Sequence, residues 1–227
     1  MNLSFILISS MPTKGMKSMG NVGLLPVNKK CCILDKHIQN IKSVYPTAEI
    51  IVVAGFEHQR IARMLKKYQK VKCISHDMQP YSNETESMWY GLRAMTNTKC
   101  IVLNINFVAG KALWTKIKYR SKKSLVLLNS NKYFKNELGA TLRNDKLNYI
   151  FFGLPNKIAN IYLLQESHIK HFLDNYSENA RSKYLFETIN TLAKHQDFYY
   201  DNINYKNMKY INNAKDYNSI TQRKVDV

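Results

Sequence analysis

The sequence predicts an α/β fold: a mostly parallel, twisted sheet with helices on both faces, plus a small antiparallel extension. Three observations point there. Short apolar runs recur along residues 1–129, they alternate with segments of helical period, and most of them are continuous rather than alternating in polarity. A strand that is apolar at every position has both of its faces covered, as in a parallel sheet held between helical layers.

The elements follow in order. Residues 3–10 (LSFILISS), 49–54 (EIIVVA), 71–75 (VKCIS), 99–104 (KCIVLN) and 124–129 (SLVLLN) read as strands, because aliphatic and β-branched residues run between turn-forming ones. Between them, Ile33, His37, Ile38, Ile41 and Val44 share one helical face. Ile61, Ala62, Met64 and Leu65 mark a second helix, Met88, Trp89, Leu92 and Met95 a third, and Ala112, Leu113 and Ile117 a fourth. Past residue 129 the rhythm changes to shorter extended segments at 140–143, 147–152 and 157–163, broken by Asn, Asp, Gly and Pro, which read as the antiparallel extension. Helices are expected over 166–175 and 182–194, then a Tyr- and Asn-rich tail with short strands near 198–203 and 207–211. No repeat or long linker interrupts the 227 residues, so one domain is expected.

A composition of 45% hydrophobic and 11% aromatic residues supports a substantial core. No run of 18 apolar residues exists, and the first apolar segment is short and lacks a basic flank, so a soluble, cytoplasmic protein without a transmembrane segment is expected. Cys31, Cys32, Cys73 and Cys100 form no CxxC pair, which predicts reduced thiols and argues against zinc. The 34 Lys and Arg residues outnumber the 16 Asp and Glu residues, giving a net charge of +18 and an attraction to polyanions: nucleic acid, acidic membranes or nucleotide phosphates. A Lys-, Asn-, Ile- and Tyr-rich composition also arises from AT-rich coding, so charge alone does not choose among them.

Five segments in order resemble a known family. "GNVGLLPVNKKCCILDKHIQNI" is similar to a Pro-Lys-x-Leu-Leu-Pro-Val-like segment and its helix, and "AEIIVVAGFEHQRIARML" to a second strand, Gly-Phe turn and helix. "PYSNETESMWYGLRAM" is similar to a helix opened by Ser, with Ser87 in that place, and "CIVLNINFV" to a strand ending in a metal-binding Asp. "KYLFETINTLAKHQDFYYDNINYKNMKYINNAKDYNSI" resembles a closing helix, a strand, a second metal-contacting position and an Asp-Tyr on a terminal helix. The family is that of the nucleotidyltransferases of the sugar-nucleotide pyrophosphorylase and molybdenum-cofactor guanylyltransferase type, with a GT-A-like fold. The resemblance is weak over 105–165. It implies a nucleotide-binding half at 1–129 and an acceptor half at 130–227.

The family's reaction is attack by a phosphate on the α-phosphorus of a nucleoside triphosphate, with release of pyrophosphate, so charge neutralisation and positioning carry the chemistry. The resemblance places Ser9, Ser10, Lys14, Gly15, Lys17, Gly55 and Ser87 at the nucleotide. Lys17, with Lys14 beside it, takes the place of a loop Arg; the other reading of both is as solvated lysines of a basic chain. Pro12 removes one amide donor from the loop, while Gly15 and Gly20 keep left-handed turns open. Asn21 and Val22 stand where the family has Pro-Lys, and valine cannot neutralise phosphate. At the strand end Asn106, or else Asn104, stands where the Asp is, and Asn212 holds the second metal position, where some members also have Asn. Neutral amides are weak Mg²⁺ ligands, so Mg²⁺ is expected only if the chain is active. Lys17 and Asn106 are then the catalytic candidates.

Other candidates have plainer explanations. His168 and His171 have a metal-compatible spacing but no evident partner, Glu84 and Glu86 favour a helix N-terminus, and Tyr199, Tyr200, Tyr205, Tyr210 and Tyr217 with Lys206 and Lys209 suit either a core or a stacking surface. Three readings stay open. One is a nucleotidyltransferase-like protein with weak or lost catalysis and a residual site for a nucleoside triphosphate or other phosphate. The others are an active divergent nucleotidyltransferase and a basic nucleic-acid-binding or viral assembly module on the same scaffold.

Overall fold

The computed structural model describes residues 3–9, 16–76, 83–118, 122–129, 137–203 and 208–222. The first half runs β1 (Ser4–Ser9), β2 (Pro26–Asn28), β3 (Cys31–Cys32), α1 (Ile33–Val44), β4 (Glu49–Ala54), α2 (His58–Leu65), β5 (Val71–Ser75), α3 (Glu84–Ala94), β6 (Cys100–Asn104), β7 (Phe107–Val108), α4 (Lys111–Lys118) and β8 (Leu125–Leu128). The second runs β9 (Leu138–Arg143), β10 (Lys146–Phe152), β11 (Asn156–Leu164), α5 (Glu166–Asp174), α6 (Leu185–His195), β12 (Tyr199–Asn202), β13 (Lys209–Tyr210) and α7 (Ala214–Gln222).

Nine strands form one sheet in the order β5-β4-β1-β6-β11-β8-β12-β10-β9. Successive residues of the central strands face opposite layers, and both layers are apolar. Phe5, Leu7, Ile50, Val52, Ile101 and Leu103 pack with Leu34, Ile38 and Ile41 of α1 and with Leu113, Trp114 and Ile117 of α4. Ile6, Ile8, Ile51, Val53 and Val102 pack on the other side with Met88 and Leu92 of α3, Ile169 and Phe172 of α5, and Ile189 and Leu192 of α6. This two-sided burial is why the strands read as continuous apolar runs. Gly91 lets α3 approach closely, since a Cβ there would lie 2.5 Å from Cγ2 of Ile6.

The parallel expectation holds in part. β5, β4, β1 and β6 are parallel neighbours, and β8 is parallel to β12. The extended segments after residue 129 are not a peripheral extension alone. β11 lies between β6 and β8 and is antiparallel to both, while β9 and β10 close the far edge and β9 also pairs with the start of β11. Ile161, Tyr162, Leu163 and Leu164 are therefore buried at the centre of the sheet.

A third apolar cluster ties the chain's two ends together. Met16, Val22, Leu25 and Ile33 pack against Val108, Ile211 and Ile220, and the Tyr217 hydroxyl donates to the Pro26 carbonyl at 2.8 Å. Among the described residues no helix is long and apolar enough to cross a membrane.

Candidate functional site

The chain leaves β6 at Asn104, passes Ile105 and Asn106, and enters β7. β7 pairs antiparallel with β13, matching Phe107 with Tyr210 and Val108 with Lys209. The Ile211 amide then donates to the Asn106 carbonyl at 2.8 Å. This ribbon brings Asn106 and Asn212, far apart in sequence, to one cavity of about 400 Å³, whose walls also include Glu137, Phe152, Lys157, Asn160 and Tyr210. The Asn106 Oδ1 is buried with no hydrogen-bond partner. An unpartnered buried acceptor at a cavity wall calls for an incoming donor.

His37 secures the ribbon from beneath. It is buried on α1, and its Nε2 lies 2.8 Å from the Phe107 carbonyl, which the neutral ring satisfies as donor. Burial pulls its pKa down to about 4 against the carbonyl contacts, so the ring is neutral at physiological pH.

The facing wall comes from the second half of the chain. Lys157 Nζ on β11 donates to Glu137 Oε1 at 2.6 Å and lies 5.1 Å from the Tyr210 ring centroid. The other Glu137 oxygen is buried without a partner. Asn160 has φ 51°, a left-handed conformation inside a strand, and sits where the register of β11 on β8 shifts between Ile158 and Tyr162. This bulge places Asn160 on the wall of the large cavity and of a smaller one, about 50 Å³, lined also by Glu84, Asn104, Tyr162 and Phe186. Glu84 accepts from Asn104 Nδ2 at 2.6 Å, and burial raises its carboxyl above the usual carboxylate range.

Strain of this kind gathers at working sites, and Asn160 offers a direct check. Asn160→Gly is expected to leave unfolding stability within about 0.5 kcal/mol of the parent, because glycine adopts the left-handed region freely. Asn160→Ala is expected to lose about 1–2 kcal/mol, since alanine keeps the Cβ clash without the local amide bonding. Urea unfolding of both variants measures this, and equal stabilities would contradict it.

The nucleotide candidates from the first half lie elsewhere. Ser9 is fully buried, and its hydroxyl donates to Asn21 Oδ1 at 2.9 Å. Asn21, also fully buried, accepts at the same oxygen from the Gly23 amide at 2.9 Å and donates to the Phe56 carbonyl at 3.0 Å. Its own amide donates to Glu57 Oε2 at 2.6 Å, and Gly20, with φ 81°, fits there because a Cβ would come within 2.7 Å of that oxygen. The pair Asn21-Val22 is thus a clasp and a core residue. Gly55 lies in the turn after β4, where its carbonyl accepts from the His58 amide at 3.0 Å. Ser87 is fully buried, with its hydroxyl 2.8 Å from His76 Nδ1, and His76 Nε2 lies 3.0 Å from Glu86, which Arg181 also contacts. Lys17 is exposed at the start of a 3-10 turn, Lys17–Met19. Neither Lys17 nor Ser87 lines either cavity; among the described candidates, Asn106, Tyr210 and Asn212 share the larger one, and Asn104 and Glu84 line the smaller. Ser10, Lys14 and Gly15 lie outside the described residues.

The remaining motifs resolve into packing. His168 is buried with Nδ1 2.9 Å from the Ser124 hydroxyl, and among the described residues no group of three His, Cys, Asp or Glu is placed to hold a metal. Adjacent Tyr199 and Tyr200 pack into opposite layers of the sheet, and Tyr210 lines the cavity. Tyr205 and Lys206 lie outside the described residues. Glu137, Lys157 and Asn160 were not singled out by the sequence; an Asn inside the apolar run "KIANIYLL" is the one signal that could have marked the bulge.

No family model matches the chain, and no curated protein does. Solved structures match over almost its whole length. A Bacillus anthracis protein assigned as a glucose-1-phosphate thymidylyltransferase aligns with TM-score 0.80 at 14% identity, covering 99% of this chain and 96% of that one. CTP:phosphocholine cytidylyltransferase from Streptococcus pneumoniae aligns with TM-score 0.73 at 13% identity over 98% and 99% of the two chains. Inositol-1-phosphate CTP transferase from T. maritima gives TM-score 0.75 at 9% identity over 98% and 95%. The chain has the fold of these nucleotidyltransferases.

Proposed function

We propose that the protein is a nucleotidyltransferase-fold binding protein, with a cleft that takes a nucleoside triphosphate or another phosphate ligand and with catalysis weak or lost. The observation that carries this is the cavity of about 400 Å³ holding Asn106 and Asn212 together at the C-terminal side of β6. Open α/β sheets receive ligands at the carboxyl ends of their strands. Against turnover stand neutral amides in both places where the resemblance puts metal contacts, and Val22, 4% exposed in an apolar cluster, where it puts a lysine.

Magnesium, the cofactor that an active member would need, fits poorly. The side chains facing the cavity offer three carboxamides and one carboxylate, and Lys157 already holds that carboxylate. Mg²⁺ favours carboxylates in near-octahedral geometry and is repelled by an adjacent ammonium.

A panel of nucleoside triphosphates, each with and without Mg²⁺, tests the proposal by thermal shift and by pyrophosphate release with sugar phosphates. At least one nucleotide at about a hundredfold over its Kd is expected to raise Tm by roughly 5 °C. Asn106→Trp, which fills the cavity, is expected to abolish that rise, with pyrophosphate release at background throughout. Sustained release would establish the active enzyme instead. No shift with any nucleotide, joined to steeply salt-dependent binding of DNA or RNA, would favour a basic nucleic-acid module.

A further inference from the structure

We infer that the Lys157 ammonium takes the place of a divalent cation in the cleft, so that the phosphate ligand binds without metal and is held by Lys157 in competition with Glu137. The inference rests on the cleft reading above and adds how the ligand's charge is met. Among the described residues, Lys157 is the cation that lines the cavity; its side chain is 17% exposed, and it stands on β11 across from the Asn106 and Asn212 ribbon. A partly buried ammonium acts on phosphate in a lower dielectric than a surface lysine does, so its single charge counts for more. The net charge of +18 raises the local concentration of anions around it.

Glu137 gives this arrangement a sign that a merely structural ion pair lacks. Its Oε1 accepts from Lys157 at 2.6 Å while its Oε2 is buried and unpartnered. In the ligand-free cleft Glu137 is ion-paired with Lys157. An arriving phosphate must share the ammonium with it, so Glu137 lowers affinity for anions. Removing Lys157 therefore weakens binding, whereas neutralising Glu137 strengthens it. If the pair served only to join β9 to β11, neutralising either partner would loosen the same wall and both changes would act in the same direction.

The experiment measures affinity for the nucleoside triphosphate that gives the largest thermal shift, by isothermal titration in 5 mM EDTA and again in 5 mM Mg²⁺ (concentrations on the order usual for full chelation and saturation). The proteins are the parent, Lys157→Gln, Lys157→Arg and Glu137→Gln, each checked for its ligand-free Tm. Expected are equal affinities in EDTA and Mg²⁺, a loss of about tenfold or more for Lys157→Gln, recovery in Lys157→Arg, and a gain of roughly threefold to tenfold for Glu137→Gln. Binding that appears only with Mg²⁺ overturns the inference and leaves the cleft reading standing. Metal-free binding that is unchanged in Lys157→Gln, or weakened in Glu137→Gln, also overturns it. Absence of binding in either buffer defeats both together.

Discussion

Asn21→Ala is expected to destabilise the fold by about 3 kcal/mol. One fully buried carboxamide joins three elements: the end of β1 through Ser9, the turn before α2 through Phe56, and the start of the Leu-Leu-Pro-Val segment through Gly23. Alanine leaves a hydroxyl, an amide and a carbonyl without partners, each costing about 1 kcal/mol or more. Urea unfolding gives the number directly. A loss under about 1 kcal/mol would mean that water replaces these bonds.

Acid is expected to loosen the same end of the molecule through His37. The folded ring takes up its proton only near pH 4, whereas in the unfolded chain it does so at the ordinary value of 6.5. Between the two values the unfolded state holds more protons, so stability is fully present above about 6.5 and falls as pH drops towards about 4. Over that window the loss approaches about 3 kcal/mol. Unfolding of the parent and of His37→Gln, measured from pH 7.5 down to the acid end of this window, isolates the contribution. The variant should start lower and show the shallower acid slope, and parallel slopes would refute the assignment.

How much of this was legible in the sequence depends on what fixes each element. Strands buried on both faces write themselves as unbroken apolar runs, and 49–54 and 71–75 coincide with β4 and β5. Periodicity marks a strand but says nothing about its neighbours, so the central place of β11 was not readable from "KIANIYLL". β7 and β13 are two residues each, too short for any period, yet they decide which side chains meet. The pairing of Asn106 with Asn212 was legible only through the order of five motifs. Glu137 and Lys157 fell in the stretch where those motifs lapse, and a lysine in a chain of +18 carries no signal of its own. Glu84 was read as a helix-opening carboxylate, and it does open α3, but its position also turns it inward onto Asn104.

The location of β11 has a consequence for synthesis. While a ribosome has delivered only the first half of the chain, β6 is the outer strand of a parallel group, and its run Cys100–Asn104 offers an open ladder of amides and carbonyls. That strand is apolar and uncharged, the sort whose open edge recruits other chains. It is sealed only when Ile161 reaches Leu103 and Leu164 reaches Cys100, after the intervening hairpin has been made. Interruption of translation between those points leaves a nascent chain with an apolar strand edge exposed, and the emergence of β11 is what ends that exposure.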